Sequence, residues 1–140
     1  MFKKILIGYD GHEGSRLALE RGLHLAEELK AEVIVLAVAS IPEYAETISE
    51  VEEAKEQAKK YYADVLSGVE ELVKGKDLKV QTLIRFGKPA EVILHTAEEM
   101  EVDLIILGPS KYSFLRRRVL GSTADKVVER AHCSVLIIKQ

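Results

Sequence analysis

The chain predicts an α/β fold: an open five-stranded parallel sheet with helices on both faces. Three observations lead there. Short, continuous apolar runs recur along the chain, as suits strands buried on both faces rather than alternating ones. Segments of helical periodicity separate them, so the order reads βαβαβαβαβ. Parallel neighbours need crossover connections, and those intervening segments are long enough to supply them.

The first strand is "KILIGY" at 4–9, followed by a helix over 14–30 that places Leu17, Ala18, Leu25, Ala26 and Leu29 on one stripe. Arg16, Glu20, Glu27 and Lys30 lie off that stripe. "EVIVLAVA" at 32–39 is the second strand, and "SIPEYAETI" at 40–48, with Pro42, is a surface loop. The second helix covers 46–74 through Ile48, Val51, Ala58, Tyr62, Val65, Val69 and Leu72, and stops at Gly75. Its acidic first half, with Glu46, Glu50, Glu52, Glu53 and Glu56, is a solvated face that also suits a helix N-terminus. The third strand, "KVQTLIRF" at 79–86, is more mixed in composition, as expected near a sheet edge. Pro89 opens a helix to about Met100, packed through Ala90, Ile93, Leu94 and Ala97. "DLIILG" at 103–108 is the fourth strand. A last helix from near Ser122 uses Ala124, Val127, Val128 and Ala131 before "SVLIIK" at 134–139 closes the sheet.

With 140 residues the chain is sized for one domain, 1–140, and can bury a real core. Hydrophobic residues make up 47% and charged residues 31%, values of a globular chain and not of a disordered one. The net charge of −3 gives no global attraction for nucleic acid or an anionic membrane. No apolar run approaches the length of a membrane span, and the N-terminal run meets Asp10 before a signal-peptide core is complete. A cytoplasmic protein is expected. The single cysteine, Cys133, fits a reducing compartment and reads as a small packing residue. Absence of Asn and abundance of Glu and Lys form a bias seen in proteins from hot environments.

In open α/β sheets, ligands bind beyond the carboxyl ends of the strands where strand order reverses. That nominates the loops after the first, second and fourth strands. After the first comes "GYDGHEGS": Asp10 can accept hydrogen bonds from an adenine or ribose, or it and Ser15 can merely cap the helix while glycines make the turn. After the fourth comes "LGPSKYSFLRRRVLGST", in which neither GxxxxGK[ST] nor GxGxxG occurs. Gly108 leaves the strand, and Gly121-Ser122-Thr123 opens a helix whose free N–H groups and dipole favour an anion.

These stretches resemble the universal stress protein family of the UspA type. "KKILIGYDGHEGS", "EVIVLAV", "GKPAEVILHTAEEMEVDLIILGPS" and "LGSTADKVVERAHCSVLIIK" carry the resemblance over nearly the whole chain. It implies a Rossmann-like sheet in the order 3-2-1-4-5, of the adenine nucleotide alpha hydrolase-like kind. It also implies ATP binding through a G-x2-G-x9-G-[ST] loop; any Mg2+ would be carried by the phosphates and not by a protein cage. Gly108 matches the first glycine of that loop, and Gly121 with Ser122 matches its end at the family's spacing. By the same resemblance Asp10 and Val38 hold ribose and adenine, Gly8 and Tyr9 flank the pocket, and Thr123 adds a hydroxyl to the phosphate shell.

Lys111 stands where the family has its middle glycine. A side chain there costs roughly 1 kcal/mol if the backbone needs positive φ, or it fills the phosphate space. An ammonium also offers donors to phosphate oxygens. Of Arg116, Arg117 and Arg118, neighbours diverge, so one phosphate contact, assigned to Arg118, is expected and the others are solvated. His12, His24, His95 and His132 have no ligand spacing for a metal, and no G-x-S-x-G surrounds a serine.

The reading is an adenine-nucleotide binder in a stress-response role, without dedicated catalytic machinery. Two alternatives stay open: a slow ATPase using Asp10 or Ser122, and a dimeric interaction module whose phosphate site Lys111 has closed. The apolar last strand is an exposed edge that must be paired or protected, and the resemblance implies an antiparallel homodimer across it.

Overall fold

The computed structural model describes residues 1–109 and 122–139. Nine elements alternate: β1 (Lys4–Gly8), α1 (Glu13–Leu29), β2 (Glu32–Ala39), α2 (Ile48–Val73), β3 (Val80–Phe86), α3 (Pro89–Glu99), β4 (Leu104–Leu107), α4 (Ser122–Arg130) and β5 (Ser134–Ile137). The five strands form one parallel sheet in the order β3-β2-β1-β4-β5. Its register pairs Ile5 with Val33 on one side of β1 and with Leu104 on the other.

Side chains alternate across each strand, so one run feeds two cores. Ile5, Ile7, Val33, Val35 and Ile106 face α1 and α2, while Leu6, Ile34, Leu36, Ile105 and Leu107 face α3 and α4. β1 is completely buried from Ile5 to Ile7, and burying each such side chain stabilises by about 1.5–3 kcal/mol. Helices α1 and α2 carry the chain outward to β3 on one face. α3 and α4 bring it back on the other, the arrangement that a constant crossover hand requires.

The buried stripe of α1 differs from the expected one. Ala18, Leu19, Gly22, Leu23 and Ala26 face the sheet, Leu17 and Leu25 are half-buried, and Leu29 is 36% exposed. Gly22 is the reason: a Cβ there would lie 2.7 Å from Ile7 Cδ1 and 3.3 Å from Ile106 Cδ1. The helix therefore touches the sheet at this glycine, and the buried residues are its helical neighbours at −4, −3, +1 and +4.

α2 buries Val69 and packs Tyr62 on the core as expected, but it also buries Leu66, outside the expected stripe, while Ile48 is 83% exposed and Leu72 lies at the surface. At 26 residues the helix is about 39 Å long, more than the sheet below can cover. Thr47 caps it, its hydroxyl accepting from the Glu50 amide at 3.0 Å, and Gly75 just beyond it adopts φ +79°. In α4 Ala124 and Val127 are buried, whereas Val128 is exposed and Ala131 lies past the helix end. In α3 Leu94 is half-buried and Thr96 takes a buried place beside Ala90, Ile93 and Ala97.

Candidate functional site

β1 lies where the strand order reverses, with β2 on one side and β4 on the other. In open α/β sheets such a point leaves a crevice at the carboxyl end of the strands. A cavity of about 300 Å³ occupies it. Gly8, Tyr9 and Asp10 enter from β1, Leu36 and Val38 from β2, Ile93 from α3, Gly108 and Pro109 from β4, and Ser122 and Thr123 from α4. Among the described residues lining it, Asp10 is the one carboxylate, and no lysine or arginine joins it.

Asp10 ends the strand in a tight turn. Its Oδ1 accepts from the His12 amide at 2.9 Å and from the Ser15 hydroxyl at 2.6 Å, and lies 3.1 Å from His12 Nδ1. Gly11 makes this turn with φ +88°, a conformation costly for any residue bearing a Cβ. Burial opposes the Asp10 charge, but the Ser15 hydroxyl, the His12 amide and the His12 imidazole outweigh it and hold the carboxyl below its usual value. The residue preceding α1 is His12, whose side chain makes no cap. Asp10 thus closes the turn and does not cap the helix, while still lining the cavity.

Glycines bring the two loops together. A Cβ on Gly108 would collide with the Gly14 carbonyl oxygen, and would lie 2.7 Å from its carbon and 3.1 Å from the Ser15 nitrogen. A Cβ on Gly14 would lie 3.1 Å from both the Pro109 oxygen and Cγ. Backbone therefore crosses backbone where the β1–α1 loop meets the exit of β4. Gly8 is tight for a second reason, since a Cβ would sit 2.7 Å from Leu107 Cδ2.

One wall is apolar, made by Leu36, Val38, Ile93 and Leu107. Ser122 and Thr123, the first residues of α4, also line the cavity, and the dipole at a helix N-terminus favours a negative group. The cavity thus combines an apolar wall, an anionic acceptor and a hydroxyl-bearing helix N-terminus.

Gly8, Tyr9, Asp10, Val38, Gly108, Ser122 and Thr123, all expected at the site, share this cavity. Tyr9 also packs partly on the core under α1. Lys111, Arg118 and Gly121 lie outside the described residues, as do Arg116 and Arg117. Sequence reasoning missed the walls Leu36, Ile93 and Pro109, and the grip of Ser15 on Asp10. The only available signal for the grip was a serine five residues after an acidic residue that ends a strand.

A second cavity of about 480 Å³ lies between the ends of α3 and α4, beside His95, His132 and Cys133. Cys133 packs partly against the α3–α4 core, and burial together with the nearby Asp103 charge raises its thiol pKa. Among the described residues no three His, Cys, Asp or Glu side chains gather as a metal site, and no helix is long and apolar enough to cross a membrane.

The model of the universal stress protein family matches residues 1–139. The chain belongs to the universal stress protein family. Universal stress protein MJ0531 of Methanocaldococcus jannaschii is 33% identical over 150 residues, covering 100% of this chain and 84% of that one. The structure of universal stress protein UspA from Lactobacillus plantarum superposes with a TM-score of 0.82 at 25% identity, covering 98% and 97% of the two chains. Two universal stress proteins share the fold at lower identity and were crystallised with ligands. One, in complex with cAMP, has a TM-score of 0.66 at 23% identity, covering 99% and 97% of the chains. The other, from Arabidopsis thaliana with AMP bound, has a TM-score of 0.74 at 17% identity, covering 99% and 92%.

Proposed function

We propose that this universal stress protein binds an adenine nucleotide, ATP in the first instance, as a regulatory ligand in the cytoplasm. The observation that carries the reading is the composition of the switch-point cavity. An apolar wall of Leu36, Val38 and Ile93 suits a base, the Asp10 carboxylate suits a hydroxyl or amino donor, and the α4 N-terminus at Ser122 and Thr123 suits a phosphate. Gly8, Tyr9 and Gly108 shape the walls; by the family resemblance Gly121 belongs to the phosphate loop, and the Lys111 ammonium and Arg118, read from the residues themselves, add donors to the phosphates. Fold neighbours crystallised with cAMP and AMP support the ligand class. Binding without turnover needs no activated water, and the one acidic group of the cavity among the described residues is held ionised by its neighbours.

The test is native mass spectrometry of the purified protein followed by calorimetric titration with ATP-Mg. A stoichiometric titration is expected, with affinity lost in Asp10→Ala. A flat wild-type titration overturns the reading.

Lys111, in place of a family glycine, favours the dimeric interaction module as a second reading. Under that reading, wild type ignores ATP and Lys111→Gly acquires affinity. In either case the chain is one domain, and a homodimer forms across the β5 edge, where Leu136 is exposed.

A further inference from the structure

The carboxylate in the cavity is not free to turn. The Ser15 hydroxyl donates to Asp10 Oδ1 at 2.6 Å and its oxygen lies 3.3 Å from the Asp10 backbone nitrogen, as acceptor of that N–H. A single side chain thus grips both the main chain and the carboxylate of one residue. The carbonyl of His12 is a competing acceptor at 3.0 Å, but the shorter bond to an ionised oxygen is the stronger. With the His12 amide also on Oδ1, that oxygen is fully engaged, and Oδ2 accepts nothing among the described residues.

We propose that Ser15 is the positioning residue of this site: its hydroxyl fixes the rotamer of Asp10 and leaves Oδ2 as the acceptor offered to the bound ligand. The inference rests on the nucleotide reading above and deepens it. Ser15 itself does not need to touch the ligand for this role. It stands in the first turn of α1, where the Gly14–Gly108 crossing anchors the backbone, so the hydroxyl is held by rigid surroundings.

The surroundings of Asp10 make the effect readable. Tyr9 and His12 are the titratable groups on its own loop, β2 and α3 contribute apolar side chains to the cavity, and α4 contributes the Ser122 and Thr123 hydroxyls. With no second carboxylate and no lysine or arginine lining the cavity among the described residues, removal of the Ser15 hydroxyl acts on Asp10 without a compensating charge. The hydroxyl favours the ionised form, so its loss moves the Asp10 titration upward.

The experiment compares wild type, Ser15→Ala, Asp10→Asn and the double variant. The Asp10 side-chain carboxyl carbon is followed by NMR through an acid titration of the ligand-free protein, and each protein is titrated calorimetrically with ATP-Mg. The expected results are a higher Asp10 midpoint in Ser15→Ala and an affinity about 3- to 10-fold weaker than wild type, the net size of one typical hydrogen bond. In the Asp10→Asn background, Ser15→Ala has little further effect. Unchanged affinity or an unmoved midpoint in Ser15→Ala, with wild type binding normally, overturns the positioning role. Equal losses in both backgrounds overturn it too, since Ser15 would then act independently of Asp10. Failure of the nucleotide reading shows separately, as a flat wild-type titration, and it removes the ligand part of the proposal while the midpoint still decides the grip.

Discussion

Gly108 leaves β4 with its Cα pressed against the Gly14 peptide, so that a methyl group at position 108 would fall on the Gly14 carbonyl oxygen. The contact ties the exit of one central strand to the first turn of α1. The glycine that matches the start of the family's loop makes room for the protein's own backbone.

Gly108→Ala is therefore expected to destabilise the protein even without ligand, by about 1–3 kcal/mol, as overpacking does where backbone cannot yield. Gly14→Ala should cost less, because its tightest neighbours at 3.1 Å include the Pro109 ring as well as its carbonyl. Urea unfolding of the ligand-free variants measures both. An alanine at 108 that unfolds at the wild-type midpoint would show that the crossing loosens freely.

Asp10 makes the protein sensitive to acid in a definite direction. Its folded pKa lies below the ordinary value of 3.8, so its contribution to stability is complete above that value and fades as pH falls through the lower folded one. Asp10→Asn should therefore flatten the acid limb of stability against pH and leave its shape near neutrality unchanged. The side chain is 48% exposed, so solvent screens the effect and keeps it modest. A steeper acid limb in the asparagine variant would contradict this account.

The β5 edge predicts self-association. Leu136 is 37% exposed on a strand with the pattern Ser134–Ile137 and no proline, and a lysine there both removes apolar area and blocks edge pairing. Wild type should sediment as a dimer and Leu136→Lys as a monomer of unchanged circular dichroism. A monomeric wild type would overturn the dimer, and two identical dimer profiles would place its interface elsewhere.

Cys133 should be a poor nucleophile. Burial and the Asp103 carboxylate raise its thiol pKa, so alkylation by iodoacetamide at pH 8 is expected to run slower than for free cysteine. Faster alkylation than the free amino acid would point to an activating group outside the described residues.

Much of the fold was legible because continuous apolar runs this short and rich in Val and Ile read as strands buried on both faces, and the segments between them repeat with helical period. Pro89 at the start of α3 and Gly75 beyond α2 also behaved as local chemistry dictates. The expected stripe of α1 held at Ala18 and Ala26 but not at Leu17 and Leu29, where local rules stop. Gly22 looks neutral in a helical pattern, yet its contact with Ile7 and Ile106 sets the rotation of the helix and brings Leu19 and Leu23 fully onto the sheet, while Leu25 packs on it only partly. α2 failed differently, since periodicity says which residues share a face but not how far the sheet beneath them extends.

By itself the sequence determined the element order, the parallel sheet and the loops that hold Asp10, Gly108 and Ser122, because propensity, periodicity and spacing act locally along the chain. Only the tertiary structure decided that Gly14 and Gly108 touch, that Leu36 and Ile93 wall the cavity, and that one oxygen of Asp10 is gripped by Ser15 while the other accepts nothing among the described residues. Those are relations between side chains and backbones whose distances are set by the packing of helices on both faces of a twisted sheet, and no local rule contains them.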